Sequence, residues 1–237
     1  DQDRAYDAVT EIADNGGRAI AVEADVSQPK QVRRLFEITN DEFGGVDILV
    51  NNASVEINKF IWNLGDDEWR HVLANSLDSV FFCSKYVLPY MIPRGGGKIV
   101  NISSIHDTVP RKMSTPYCVS KAGLLMFTET LALELAPYNV QVNAVSPGVI
   151  LTERTHPNFS RGAEFLELNE QVLKINPTRR PGIVEEAVAP VLYLCSPHSG
   201  YTSGTTLYVD GAYRHNLVPM PEGDALPHLE ALKGDSQ

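Results

Sequence analysis

Short apolar runs punctuate this chain, and each ends on small or polar residues. Ala19-Ile20-Ala21-Val22-Glu23-Ala24 runs into Asp25-Val26, and Val46-Asp47-Ile48-Leu49-Val50 runs into Asn51-Asn52-Ala53. Further on, Lys98-Ile99-Val100-Asn101-Ile102 leads to Ser103-Ser104, Val140-Gln141-Val142-Asn143-Ala144-Val145 to Ser146-Pro147-Gly148, and Thr206-Leu207-Tyr208-Val209 to Asp210-Gly211. Apolar, Val- and Ile-rich runs of this length, bounded by turn residues, read as buried strands.

The stretches between them have apolar residues at helical spacing. Ala5, Val9, Ile12 and Ala13 precede Gly16-Gly17, and Val32, Leu35, Phe36 and Phe43 precede Gly44-Gly45 with Ser27 as a candidate N-cap. Asp66 or Asp67 can cap a long helix carrying Trp69, Val72, Leu73, Leu77, Val80 and Phe81, which closes near Pro93. Further helices are expected at about 117–135, 164–175 and 185–195, the last kinked by Pro190 or shifted in its start. Strands alternating with helices predict an α/β fold, a doubly wound parallel sheet of Rossmann type with helices on both faces. With 237 residues the expectation is one domain over residues 1–213, an excursion at about 151–181 that can act as a lid, and a tail over 214–237.

The charge balance narrows the choice of partner. Lys and Arg total 20 against 30 Asp and Glu, a net charge of -10 without a basic run, so nucleic acid and anionic membrane are not expected partners. The 3 cysteines and 6 histidines are scattered, which predicts no metal site and fits reduced thiols in a cytoplasmic protein. No stretch is long and apolar enough to span a bilayer.

In open α/β sheets, ligands bind beyond the carboxyl ends of the strands. Singly, the polar residues there can be ordinary turn residues; together they mark one edge as a candidate site. Tyr117 and Lys121 are four apart at the start of a predicted helix and so share a face. A free phenol titrates near ~10, and an adjacent ammonium favours the phenolate, which suits the pair to proton transfer near neutral pH. Ser104, at a strand end, can hydrogen-bond a substrate oxygen beside the phenol. Asn75 sits inside the long helix, where an amide is a poor helix former. His106-Asp107 beside a serine does not make a hydrolase, because no Gly-x-Ser-x-Gly turn accompanies it.

Asn51-Asn52-Ala53, Asn75, Asn101-Ile102-Ser103-Ser104, Tyr117-x-x-x-Lys121, Val142-Asn143-Ala144-Val145-Ser146-Pro147-Gly148 and Ser203-Gly204-x-x-Leu207-x-Val209-Asp210-Gly211 together resemble the short-chain dehydrogenase/reductase family, in its order and spacing. The resemblance implies hydride transfer between NAD or NADP and a hydroxyl or carbonyl carbon. It implies that Tyr117 is the general acid/base, that Lys121 lowers its pKa and binds the nicotinamide ribose, and that Ser104 holds the reacting oxygen. Asn75 would hold a water linking Lys121 to solvent. Asp25 and Val26 would contact the adenine, Asn51 and Ala53 the adenosine side and ribose, Pro147, Gly148 and Ile150 the nicotinamide amide, and Thr152 the pyrophosphate. Family members are commonly dimers or tetramers built through the helices holding Asn75 and Tyr117, so a homo-oligomer is implied.

Two departures stand out. Ser54 replaces the family's usual Gly, a small change. The family's opening strand, Gly-rich turn and helix are absent, roughly forty residues judged against the family pattern. Omission of an upstream segment is one reading, and a truncated, non-catalytic nucleotide-binding relative is the other. The family residues that choose between NAD and NADP would lie upstream of Asp1.

Glu56, five past Asn51, and Ile105-His106-Asp107 resemble the glucose 1-dehydrogenases of the family. A carboxylate and an imidazole suit a polyol, so the expected substrate is small and polar, a sugar oxidised at its C1 hydroxyl. The lid residues Glu153, Arg154, His156, Asn158 and Arg161 agree with that polarity. The alternative is a 3-oxoacyl carrier-protein reductase or another carbonyl reductase.

Overall fold

The computed structural model describes residues 2–152 and 176–216. Four strands, β1 (Ile48–Asn51), β2 (Gly97–Ile102), β3 (Val140–Pro147) and β4 (Thr206–Val209), form a parallel sheet in the order β1-β2-β3-β4. The connecting elements are α1 (Gln2–Asp14), α2 (Pro29–Phe43), α3 (Asp66–Leu73), α4 (Ser79–Met91), α5 (Thr115–Leu135) and α6 (Val184–Cys195).

The two faces of the sheet carry different cores, because successive strand side chains point opposite ways. Ile99 and Val142 face one side, where Val32 and Phe36 of α2, Val87 and Met91 of α4, and Ala132 and Leu135 of α5 cover them. Val100 and Val145 face the other, under Leu194 of α6. Layers of helix, sheet and helix result, as the strand and helix pattern predicts.

Several local features differ from the sequence reading: the cap of α3 is Gly65, with Asp66 and Asp67 already in its first turn, and α6 runs continuously through Pro190. Residues 19–24 form no strand: a strand needs a ladder partner, and no backbone ladder reaches them among the described residues. The cap of α2 is Gln28, since Ser27 turns its hydroxyl onto the Asp25 carboxylate at 2.7 Å. The long helix is split by a π-helical turn, Ala74–Asp78, between α3 and α4. There Asn75 donates its side-chain amide to the carbonyl of His71 at 2.9 Å, and the Ser79 hydroxyl donates to the Asn75 carbonyl at 2.8 Å. Such side-chain bonds compete with the helix ladder, and single π turns recur at functional sites. Most of the lid, residues 153–175 with its short predicted helix, and residues 217–237 of the tail lie outside the described residues.

Buried amides fasten the sheet to its helices. Asn51 and Asn101 are in register on β1 and β2, and Asn51 Nδ2 donates to Asn101 Oδ1 at 2.9 Å. Asn101 Nδ2 in turn donates to Thr128 Oγ1 of α5 at 2.9 Å. This chain of satisfied polar groups fixes α5 relative to the strand ends, where an unpaired buried amide would be costly.

Candidate active site

Because all strands are parallel, Asn51, Ser103-Ser104, Pro147-Gly148 and Asp210 lie along one edge of the sheet. Helix α5 begins beside that edge and brings Tyr117 and Lys121 to it. Lys121 is buried, and its Nζ donates to the carbonyl of Ile102, the last residue of β2, at 2.8 Å. The same Nζ is 5.4 Å from the centroid of the Tyr117 ring. Gly123 lets α5 approach the π turn: a Cβ there would sit 3.2 Å from Leu77 Cδ2. The ammonium is thus held between strand end and phenol by backbone placement on both sides.

Ser104 follows β2 directly and caps the 3-10 turn Ile105–Asp107, its Oγ accepting from the His106 backbone N–H at 3.2 Å. The imidazole of His106 stands edge-on to Tyr117, ring centroids 6.5 Å apart at 70°, and its Nδ1 is 2.9 Å from the Val109 carbonyl. Serine, imidazole and phenol therefore share one small region.

Glu56 reaches the same region from the loop after β1. Its side chain is only 15% exposed and pairs with Arg111 at 3.0 Å. Ser114, the residue before α5, has its hydroxyl 3.0 Å from Glu56 Oε1 and 2.6 Å from Asn58 Oδ1. The Lys59 N–H donates to the carbonyl of Met113 at 2.8 Å, so the two loops are pinned together.

The other expected contacts differ in burial and in partners. Asp25 is exposed; hydrogen bonds from the Ser27 hydroxyl and backbone hold its carboxyl below the usual range. Val26 packs against the α2–α4 core. Asn51 donates its side-chain amide nitrogen to Asn101 and Ser84. Ala53 is exposed, and Ser54 lies with its hydroxyl 3.1 Å from that of Ser76 in the π turn. Pro147, Gly148, Ile150 and Thr152 are half-buried; Gly148 donates its N–H to Val209, and Ile150 bridges Gly182. A Cβ on Gly148 would sit 2.8 Å from Asp210 Cα, so only glycine lets β3 end against that residue. Two buried groups were not read from the sequence as site residues. These are Asn101, whose partners are remote in sequence, and Asp107, which gathers hydroxyls from neighbouring strand ends. No cluster of metal-ligating side chains occurs among the described residues.

The fold and this strand-end edge define a Rossmann-type nucleotide-binding protein. A family model described as enoyl-(acyl carrier protein) reductase matches residues 1–214. A 3-oxoacyl-(acyl-carrier-protein) reductase of Synechocystis sp. is 37% identical over 210 residues, 87% of this chain and 81% of that protein. Glucose 1-dehydrogenase 2 of Bacillus subtilis is 35% identical over 202 residues, 84% of this chain and 76% of the relative. Among solved structures, a gluconate 5-dehydrogenase from Burkholderia cenocepacia in complex with NADP and tartrate superposes with a TM-score of 0.82 at 30% identity, covering 91% of this chain and 83% of that one. The chain belongs to the short-chain dehydrogenase/reductase family, and is an NAD(P)-dependent oxidoreductase acting on CH–OH donors. This sets aside the non-catalytic alternative.

The residues at the edge fit a nicotinamide dinucleotide in their chemistry. An exposed carboxylate at Asp25 can accept from an adenine amine, and a fixed ammonium at Lys121 can donate to a ribose diol.

Proposed function

We propose that this protein oxidises the C1 hydroxyl of a small sugar, with Tyr117 as general base and Ser104 and Lys121 beside it. The observation that carries this reading is the convergence of Glu56 and His106 on the Tyr117 region, a carboxylate and an imidazole where a polyol would present hydroxyls. Relatives named for glucose and for gluconate support the same substrate class.

In this mechanism the bound nicotinamide supplies the hydride acceptor. Ser104 Oγ and the ionised Tyr117 oxygen hold the reacting hydroxyl, and that oxygen takes its proton while the C–H hydride would pass to the dinucleotide. Lys121, fixed by Ile102, stabilises that phenolate through its positive charge. Asn75 holds a water toward Lys121 through its Oδ1, its amide nitrogen being bonded to His71. Asp25 and Val26 take the adenine, Asn51 and Ala53 the adenosine side, Pro147, Gly148 and Ile150 the carboxamide, and Thr152 the pyrophosphate. Glu56 accepts from sugar hydroxyls, and His106 orients the ring.

Steady-state kinetics with D-glucose test this reading. Replacing Glu56 or His106 by Ala removes a hydrogen bond to substrate, so KM for glucose rises by about tenfold while dinucleotide affinity stays within about twofold. An unchanged KM in both variants removes the sugar assignment. The second reading is reduction of a 3-oxoacyl thioester, the reaction for which the Synechocystis relative is named. Consumption of NADPH with acetoacetyl thioesters, in place of turnover with sugars, decides for it.

A further inference from the structure

We propose that Asp107 is a positioning residue for the substrate, holding Ser104 and His106 in place from behind. Its carboxylate is buried in the Ile105–Asp107 turn. Three hydroxyls donate to it from successive strand ends: Ser103 at 3.0 Å, just past β2; Ser146 at 2.5 Å, on β3; and Tyr208 at 3.2 Å, on β4. The Tyr208 ring is in turn covered by the Arg214 guanidinium at 3.5 Å, and Arg214 donates its backbone N–H to Asp210 at 3.1 Å.

A buried carboxylate is a poor choice for stability alone, since an apolar plug of the same volume serves as well or better. What three convergent donors provide instead is direction. Each hydroxyl fixes the carboxylate against a different strand, so the short turn cannot slide along the sheet edge. That turn presents the two groups the substrate meets, Ser104 through its cap and His106 through its ring against Tyr117. Asp107 touches no reacting atom and acts through these two residues. In chain terms, Arg214 and Tyr208 brace Asp107, and Asp107 braces the turn.

The inference rests on the proposed substrate site, and the experiment separates the two. Histidine-ring NMR of the full chain, with the His106 signal identified by its loss in His106→Gln, reports the turn without any substrate. In Asp107→Ala the His106 signal shifts while the other histidine signals stay put; in Asp107→Asn, which keeps an acceptor oxygen, it remains near the wild-type position. With D-glucose and NADP, Asp107→Ala raises KM for glucose by about tenfold relative to Asp107→Asn, with NADP affinity by fluorescence within about twofold. A His106 signal unmoved in Asp107→Ala overturns the proposal, as does a parallel loss of glucose and NADP affinity. Where Asp107→Ala does not fold, Tyr208→Phe removes one donor and leaves the carboxylate in place; it shifts the signal less, and an unmoved signal there also counts against the proposal. A wild-type protein that ignores glucose discards the sugar reading, and the His106 signal still decides the role of Asp107.

Discussion

The Lys121 ammonium lies 5.4 Å from the centroid of the Tyr117 ring while it donates to the Ile102 carbonyl at 2.8 Å. The strand end thus fixes the distance at which a positive charge faces the phenol. In Lys121→Met that charge is gone, and the proton-accepting form of the site needs a higher pH. The rising limb of the pH–rate profile for oxidation moves up by about one unit or more, and turnover near neutral pH falls accordingly. A profile in register with the wild type contradicts this role for Lys121.

Arg180 and Glu186 close the turn that leads into α6. Arg180 Nη1 donates to Glu186 Oε2 at 2.7 Å, and Glu186 also accepts from the Ile183 N–H at 2.9 Å. The Arg180 hydrogen bond, then that backbone donor, bring the Glu186 carboxyl down to about 2 from its ordinary 4.5. A depressed carboxylate contributes stability that is complete above the unfolded value and is lost as pH falls through the folded one. Glu186→Gln therefore lowers Tm by about 1–3 °C near neutral pH, the pair being solvent-screened. The gap to wild type stays constant down to about pH 5 and narrows below it, which thermal melts across a pH series measure.

Cys83 is packed between α4 and the sheet, and desolvation pushes its thiol up to about 11. The thiolate is the reactive species, so native Cys83 resists alkylation near pH 8, leaving it at least about tenfold slower than after denaturation. Peptide mass spectrometry of iodoacetamide-treated protein gives the rates; rapid native labelling would show that this core opens.

Much of the fold was legible because its signals are local. The period-2 alternation that puts Ile99 and Val100 on opposite faces is written in adjacent residues, and the i, i+4 placement of Tyr117 and Lys121 follows from one helix. Residues 19–24 carry the composition of a strand, but strand formation depends on a partner elsewhere. The π turn at Ala74–Asp78 arises from side-chain bonds of Asn75 and Ser79 that a helical pattern does not record. The role of Asp107 has no local signal, since Ser146 and Tyr208 reach it only after the strands have assembled. Glu56 and His106 were singled out by family likeness; their closeness to the Tyr117 region depends on the pinning of two loops.

Asn101 tests the buried relay that sets α5. Its side chain is fully buried and joins Asn51 of β1 to Thr128 of α5. Asn101→Ala takes one buried hydrogen bond from each partner, Asn51 keeping Ser84 and Thr128 keeping the Leu124 carbonyl, and costs about 1–3 kcal/mol, measured by urea unfolding with an unchanged m value. A cost near zero would mean that the relay contributes nothing to the placement of α5.

Near-ultraviolet absorbance during incubation with D-glucose and either NAD or NADP, for wild type and Tyr117→Phe, tests the proton-transfer role most directly. The account predicts growth of the reduced-nicotinamide signal in the wild type and a loss of about 10²–10⁴-fold in turnover without the phenol, with dinucleotide binding kept. Turnover by Tyr117→Phe at the wild-type rate would contradict it.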